Sequence, residues 1–256
     1  MRLGFIGTGG IASAMVTGLC TAKGSEKLSI IVSPRNRQKS AELAERFGHV
    51  TVGSDNQDVV NNADTVFLAI LPDKKEEILT PLQFRPDQTV VSLMASVDHD
   101  DVVELTAPAG RVFRVIPLPS VARHMGPIAV FPGDSAVEGL IADLGRVLVV
   151  DREEQLTHLV VITGLMAPFY TLMKTVVGWA EETGVDRKTA ADYTAAMFGA
   201  FCKMVEELDG GDVNHLLGDA MTPGGLNEMA VRAIERDGGF KSFSRALEEV
   251  HRKVRA

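Results

Sequence analysis

The chain begins MRLGFIGTGGIASAM, and this stretch constrains the fold more than any other. Leu3, Phe5 and Ile6 read as a strand, Gly7, Gly9 and Gly10 follow at once, and Ile11, Met15 and Leu19 then recur at helical spacing. A glycine turn leaves the first N–H groups of the helix uncovered, and with the helix dipole these suit a phosphate. In the dinucleotide-binding form of this unit, one glycine permits the turn. A second lets backbone approach a pyrophosphate, and a third small residue lets the helix pack on the strand. Gly7, Gly9 and Ala12 hold those places, with Gly10 and Ile11 between the last two.

The alternation continues. KLSIIVSPRNRQKSAELAERFG gives a strand ending near Val32, a polar turn, and a helix through Leu43 and Phe47. DNQDVVNNADTVFLAILPDKKEEIL gives a helix, a buried strand stopped by Pro72 and another helix, and QTVVSLMA is the next strand. Such alternation predicts a parallel-rich sheet with right-handed crossovers. RVFRVIPLPSV, GPIAVFPG and GRVLVV complete the sheet, and beyond Asp151 only helical periodicity remains. The expected fold is α/β, with a Rossmann domain over residues 1–151 and an all-α domain over residues 152–256. Tyr193, Met197, Phe198, Phe201 and Met204 spread around one helix, which points to a homodimer or higher homo-oligomer built through the helical domain.

A net charge of -8 disfavours nucleic acid and acidic membrane surfaces as partners. Small molecules are expected instead. No basic and apolar leader is seen, and no apolar run is long enough to span a bilayer without charge or proline, so the cytoplasm is the expected location. Cys20 and Cys202 fall on predicted apolar helix faces and are expected to be buried thiols. No spacing of His or Cys suggests a metal.

The end of the second strand selects the dinucleotide. NAD sites commonly carry a carboxylate there for the ribose 2′-hydroxyl, whereas NADP sites bring in arginine. The sequence is VSPRNRQK. Ser33 and Asn36 are candidate hydrogen-bond partners of a 2′-phosphate, Arg35 can clasp it, and Arg37 and Lys39 add charge. NADPH is expected over NADH.

Several blocks resemble the pyrroline-5-carboxylate reductase family. IGTGGIASAM is similar to its GxGNMAxA opening, VSPRNRQK to its SNR loop, LAILPD to its KP segment, and SLMASV to its SiaAGv strand end. FRVIPLPSVARHMGPIAVF resembles RvMPNtPaxxgxGxtxl, and AMTPGGLNEMAVRAIERDGGF resembles the SPGGTT segment. The resemblance implies a Rossmann domain, a helical dimerisation domain and hydride transfer to a ring C=N carbon. It adds Ala69, Leu71, Pro72 and Ala95 to the cofactor candidates. It adds Pro117, Leu118, Gly224, Gly225, Leu226 and Asn227 as candidates for binding a substrate carboxylate.

The departures concentrate where the family holds its substrate. The SGSGPAY segment is TGLMAPFY here, with Leu165 and Met166 in place of Ser and Gly. Both threonines of PGGTT are lost to Leu226 and Asn227, the asparagine of MPN is Leu118, and the lysine of KP is Leu71. Thr163, Tyr170 and Thr171 are the remaining candidates for touching the imine nitrogen. Lys174 supports a competing reading as a β-hydroxyacid dehydrogenase-like enzyme, although Gly178 stands where an asparagine is expected one turn later. A dinucleotide-binding protein without turnover is the third reading.

Overall fold

The computed structural model describes residues 1–255, apart from the side chain of Asp209. Two compact units divide between Val160 and Val161. The first is built on β1 (Arg2–Ile6), α1 (Gly10–Thr21), β2 (Ser29–Val32), α2 (Arg37–Arg46), β3 (Val50–Val52), α3 (Asn56–Asn61) and β4 (Thr65–Leu68). It continues through α4 (Lys75–Leu79), β5 (Thr89–Ser92), α5 (His99–Leu105), β6 (Arg111–Pro117), β7 (Pro127–Phe131), α6 (Ser135–Ile141) and β8 (Arg146–Val149). The strands form one sheet in the order β3-β2-β1-β4-β5-β6-β7-β8. Among the described residues only the β6–β7 pairing is antiparallel.

Strand periodicity explains the layers. Leu3, Phe5, Phe67, Val91, Phe113 and Val115 point to one core, and Ile6, Val66, Leu68, Val90 and Val112 to the other. Alternate residues of one strand thus serve opposite faces, as expected of a sheet covered on both sides. Phe5 and Phe67 stack at 4.5 Å across neighbouring strands. A side chain at Gly4 would meet Ala63 and Val59 at 2.8 Å, so glycine there lets the α3 segment approach β1.

The parallel-rich Rossmann sheet followed by helices agrees with the sequence reading. Three elements were not anticipated: β3, α5 and α6. Each is short, and β3 has only three residues, two of them exposed, so its apolar pattern is too brief to register.

The second unit takes up the end of α7 (Glu153–Thr163) and then α8 (Met166–Glu182), α9 (Arg187–Glu206), α10 (Asn214–Ala220), α11 (Leu226–Arg236) and α12 (Gly239–Val254). Phe169 meets Phe198 edge to face where α8 packs on α9. Much of the remaining apolar surface is open: Trp179 is 67% and Tyr193 72% exposed, and Phe201 and Met204 are also exposed. Cys20 is buried as expected, but Cys202 is exposed, because its stretch of α9 has no cover within the chain. Glu153–Glu182 contains an 18-residue window of mean hydropathy 1.6 with 17% of it buried, so a helical stretch of membrane-spanning length and composition is present. Lys174 and Pro168 lie in this stretch.

Candidate functional site

β1 runs straight into Gly7, whose φ is +89° and whose added Cβ would lie 2.5 Å from the carbonyl oxygen of Ala69. Both the backbone conformation and the space demand glycine. Gly9 caps α1 in extended conformation without a side-chain hydrogen bond, and no acidic residue occupies the first turn. The Cβ positions of Gly9 and Gly10 face open space. The helix start is therefore bare, dipolar and accessible to an anion, while Ala12, fully buried, closes α1 against the sheet.

The end of β2 differs from expectation. Ser33 is fully buried, and its Oγ accepts the backbone N–H of Gly7 at 2.9 Å. Its carbonyl accepts from Thr8 Oγ1 at 2.9 Å and Ser40 Oγ at 2.7 Å. Ser33 thus braces the glycine turn from beneath. Asn36 uses Oδ1 to accept the backbone N–H of Lys39 as the cap of α2. Arg35 and Arg37 are exposed. Nearby, Lys74 donates to Glu77 at 2.9 Å and holds that carboxyl below its usual range, with the charge of Arg35 adding a smaller push in the same direction. The basic rim of the cleft is therefore Arg35 and Arg37.

These elements enclose a cleft of about 800 Å³ lined by Gly7, Thr8, Gly9, Gly10 and Ile11, by Arg35, Asn36 and Arg37, and by Ala69, Ile70, Leu71 and Leu93. Among the described residues no carboxylate lines it. Bare N–H groups, a space that a Cβ would fill and a cationic rim fit a dinucleotide phosphate chain. Ala12, Ser33, Pro72 and Ala95 lie outside this lining. Thr8, Ile70 and Leu93 join it without having been singled out; Leu93, directly after β5, was discoverable from the rule that ligands sit beyond the carboxyl ends of parallel strands. Pro117, at the end of β6, is buried, and Leu118 is half-buried.

In the second unit, Thr163 ends α7, while Tyr170, Thr171 and Lys174 are exposed on α8. Tyr170 and Lys174 stand one turn apart on one face. Thr171 Oγ1 donates to the carbonyl of Ala167 at 2.9 Å, a local bond that commits its proton. The turn before α11 is held by hydrogen bonds of its own chain. Gly224, at φ +74°, gives its N–H to Glu228 Oε2 at 2.7 Å, and Gly225 gives its N–H to the carbonyl of Thr222 at 2.8 Å. Asn227 Nδ2 donates to the carbonyl of Ala220 at 3.0 Å. The N–H groups of Gly224 and Gly225 and the side-chain amide of Asn227 are thus engaged within the chain, and Leu226 beside them is 84% exposed. The hydrogen bond from Gly224 holds the Glu228 carboxyl below its usual range. Among the described residues no group of three or more His, Cys, Asp or Glu could hold a metal ion.

Residues 2–96 match the family model described as NADP oxidoreductase coenzyme F420-dependent, and residues 153–256 match that for pyrroline-5-carboxylate reductase dimerisation. Pyrroline-5-carboxylate reductase 1 of Bacillus spizizenii is 27% identical over 264 residues, covering 98% of this chain and 88% of the relative. The Corynebacterium melassecola pyrroline-5-carboxylate reductase is 28% identical, covering 95% and 93%. The fold of the Streptococcus pyogenes 1-pyrroline-5-carboxylate reductase superposes with a TM-score of 0.87 at 20% identity, covering 100% of this chain and 98% of the other. The NADP-bound Plasmodium falciparum pyrroline carboxylate reductase gives 0.86 at 16% identity, covering 100% and 97%. The chain belongs to the pyrroline-5-carboxylate reductase family.

Within that family this member's departures can now be located. Leu71 is 63% exposed and lines the cleft directly. Leu165 caps the start of α8, Met166 is its first residue, and Leu226 is the first residue of α11. Family membership is carried by the glycine turn, the sheet and the helical half, and these apolar replacements leave all three intact.

Proposed function

We propose that this protein is an NADPH-dependent reductase of a cyclic imine carboxylate, converting pyrroline-5-carboxylate or a close analogue to the saturated ring amino acid. The observation that carries the cofactor half is the end of β2, where no carboxylate stands to receive a ribose 2′-hydroxyl and Arg35 lines the cleft instead. The imine half is supported by near-full-length relatives that bear the name pyrroline-5-carboxylate reductase.

NADPH, when bound, supplies the hydride. The first N–H groups of α1 hold the pyrophosphate, Arg35 and Arg37 neutralise the 2′-phosphate, and Ala69, Leu71 and Leu93 offer apolar surface along the cleft. An imine nitrogen can arrive already protonated, so the protein's main task is positioning, which is worth about 7 to 11 kcal/mol of barrier at best. Pro117 and Leu118 stand at the sheet end, and Thr163, Tyr170 and Thr171 are the hydroxyl candidates for the nitrogen. The substrate carboxylate is assigned to the Gly224–Asn227 turn, where it must compete with Glu228.

Residues 1–151 form the dinucleotide domain in this reading and residues 152–256 the dimerisation and substrate domain. The open apolar faces of α8 and α9 support a homodimer in which the partner's TPGG segment completes each site. The protein works in the cytoplasm on a small molecule, with no nucleic acid and no membrane.

NADPH oxidation measured with pyrroline-5-carboxylate and with a series of β-hydroxyacids under NADP⁺ tests the proposal. Turnover of the imine supports it. Turnover confined to the hydroxyacids assigns the chemistry to Lys174, and tight NADPH binding without turnover on either class assigns a dinucleotide-binding role.

A further inference from the structure

Arg114 stands in the middle of β6, in register with Ser92 of β5 and Phe131 of β7, and its side chain is 1% exposed. A guanidinium at such depth is strongly unfavourable unless it is paired and hydrogen-bonded. Its Nη1 donates to Glu153 Oε1 at 2.5 Å and its Nη2 to the carbonyl of Ala95 at 2.9 Å. Glu153 Oε1 also accepts the backbone N–H of His99, whose ring Nε2 donates to the carbonyl of Val112 at 3.0 Å. The buried Nε of Arg114 has no hydrogen-bond partner among the described residues. A cation with one donor unsatisfied is a poor choice for packing alone, since an apolar side chain of similar volume would fill the same space without the desolvation.

What the fork grips explains the choice. Ala95 lies two residues beyond Leu93, which lines the cleft. The backbone N–H of Leu93 is tied to the carbonyl of Leu68 on β4 at 2.8 Å. The short segment from Leu93 to Ala95 is therefore held from β4 at one end and from β6 at the other. Strand order sets what lies against it. Arg35 follows β2, the glycine turn follows β1, and Leu71 and Leu93 follow β4 and β5, so a dinucleotide with its 2′-phosphate at Arg35 lays its other half across β4 and β5.

We propose that Arg114 is a positioning residue for the nicotinamide half of the dinucleotide, acting through the Ala95 carbonyl, with Glu153 fixing the guanidinium; this rests on the NADPH-dependent reading above. A displacement of about 1 Å at a reacting centre costs about a hundredfold in rate, so a rigid grip on this segment matters more than any contact Arg114 itself makes with ligand.

The test compares two ligands on the full-length protein by calorimetry: NADPH, and 2′-phosphoadenosine diphosphoribose, which lacks the nicotinamide. R114K keeps the charge and loses the planar fork. It is expected to weaken NADPH about tenfold and the fragment less than about twofold, with kcat for the imine down about ten- to a hundredfold. Equal weakening of both ligands, or of neither, overturns the positioning role, because a general loss of structure cannot separate them. If R114K does not fold, E153Q, which leaves Arg114 in place and removes its counter-charge, is read by the same ratio, and an unchanged ratio there overturns the proposal. Wild-type protein that binds neither ligand overturns the cofactor reading itself.

Discussion

Glu228 Oε2 accepts the backbone N–H of Gly224 at 2.7 Å, so the turn that opens α11 is closed by a carboxylate of its own chain. The same carboxylate meets Arg232 one turn on. In the proposed reading, a substrate carboxylate bound at this turn competes with this arrangement and is repelled by it. Glu228→Gln is expected to lower KM for pyrroline-5-carboxylate about tenfold with kcat little changed, and to leave carboxylate-free 1-pyrroline unaffected. Steady-state kinetics with both imines check this; parallel changes in the two would show a general effect on the helix. The sign with pH follows from the depressed carboxyl: the contact is present above the ordinary carboxylate range and is lost as pH falls through the lower folded-state value.

Arg35 and Ser33 stand two residues apart but have different consequences. Arg35→Ala is expected to weaken NADPH about ten- to a hundredfold and leave NADH nearly unchanged. Ser33→Ala removes the buried acceptor of the Gly7 N–H, costing about 1 to 3 kcal/mol of stability and weakening both cofactors alike. Cofactor titrations and thermal unfolding separate the two patterns.

Gly7 and Gly9 part in the same way. Gly7→Ala puts a Cβ into the Ala69 carbonyl at a positive φ, so the folded yield and melting temperature should fall. Gly9→Ala meets nothing in the protein and should leave the melting temperature within a few degrees while abolishing tight dinucleotide binding.

Dimerisation through the second unit predicts that Phe201→Glu, on the exposed apolar side of α9, yields monomers by light scattering and loses turnover. A monomeric wild type at micromolar concentration would contradict it.

Lys174→Ala should cost little turnover for imine reduction. A loss of about two to four orders of magnitude, with folding and NADPH binding intact, would identify a proton donor and favour hydroxyacid chemistry.

The glycine turn, α1 and the buried strand β4 were legible because local pattern and tertiary role agree there: helical spacing in one case, a continuous apolar run in the other. Ser33 and Arg35 sit in one polar loop, and pattern cannot tell which of them turns inward; only the packing of β2 beside β1 buries the first and leaves the second in the cleft. The self-closed turn at α11 was missed, although a glutamate at the third helical position is the acidic half of a capping box and gives that signal. Cys202 was misjudged because an apolar helix face reads the same whether its cover comes from its own chain or from another.

The hydroxyl cluster beneath the first turn has a kinetic and entropic consequence. Thr8, Ser33 and Ser40 lock together and hold the Gly7 amide, so the mould for the phosphates is set when the chain folds. Little conformational entropy then remains to be lost at the encounter, and association should run as a single fast phase without a slow isomerisation of the loop.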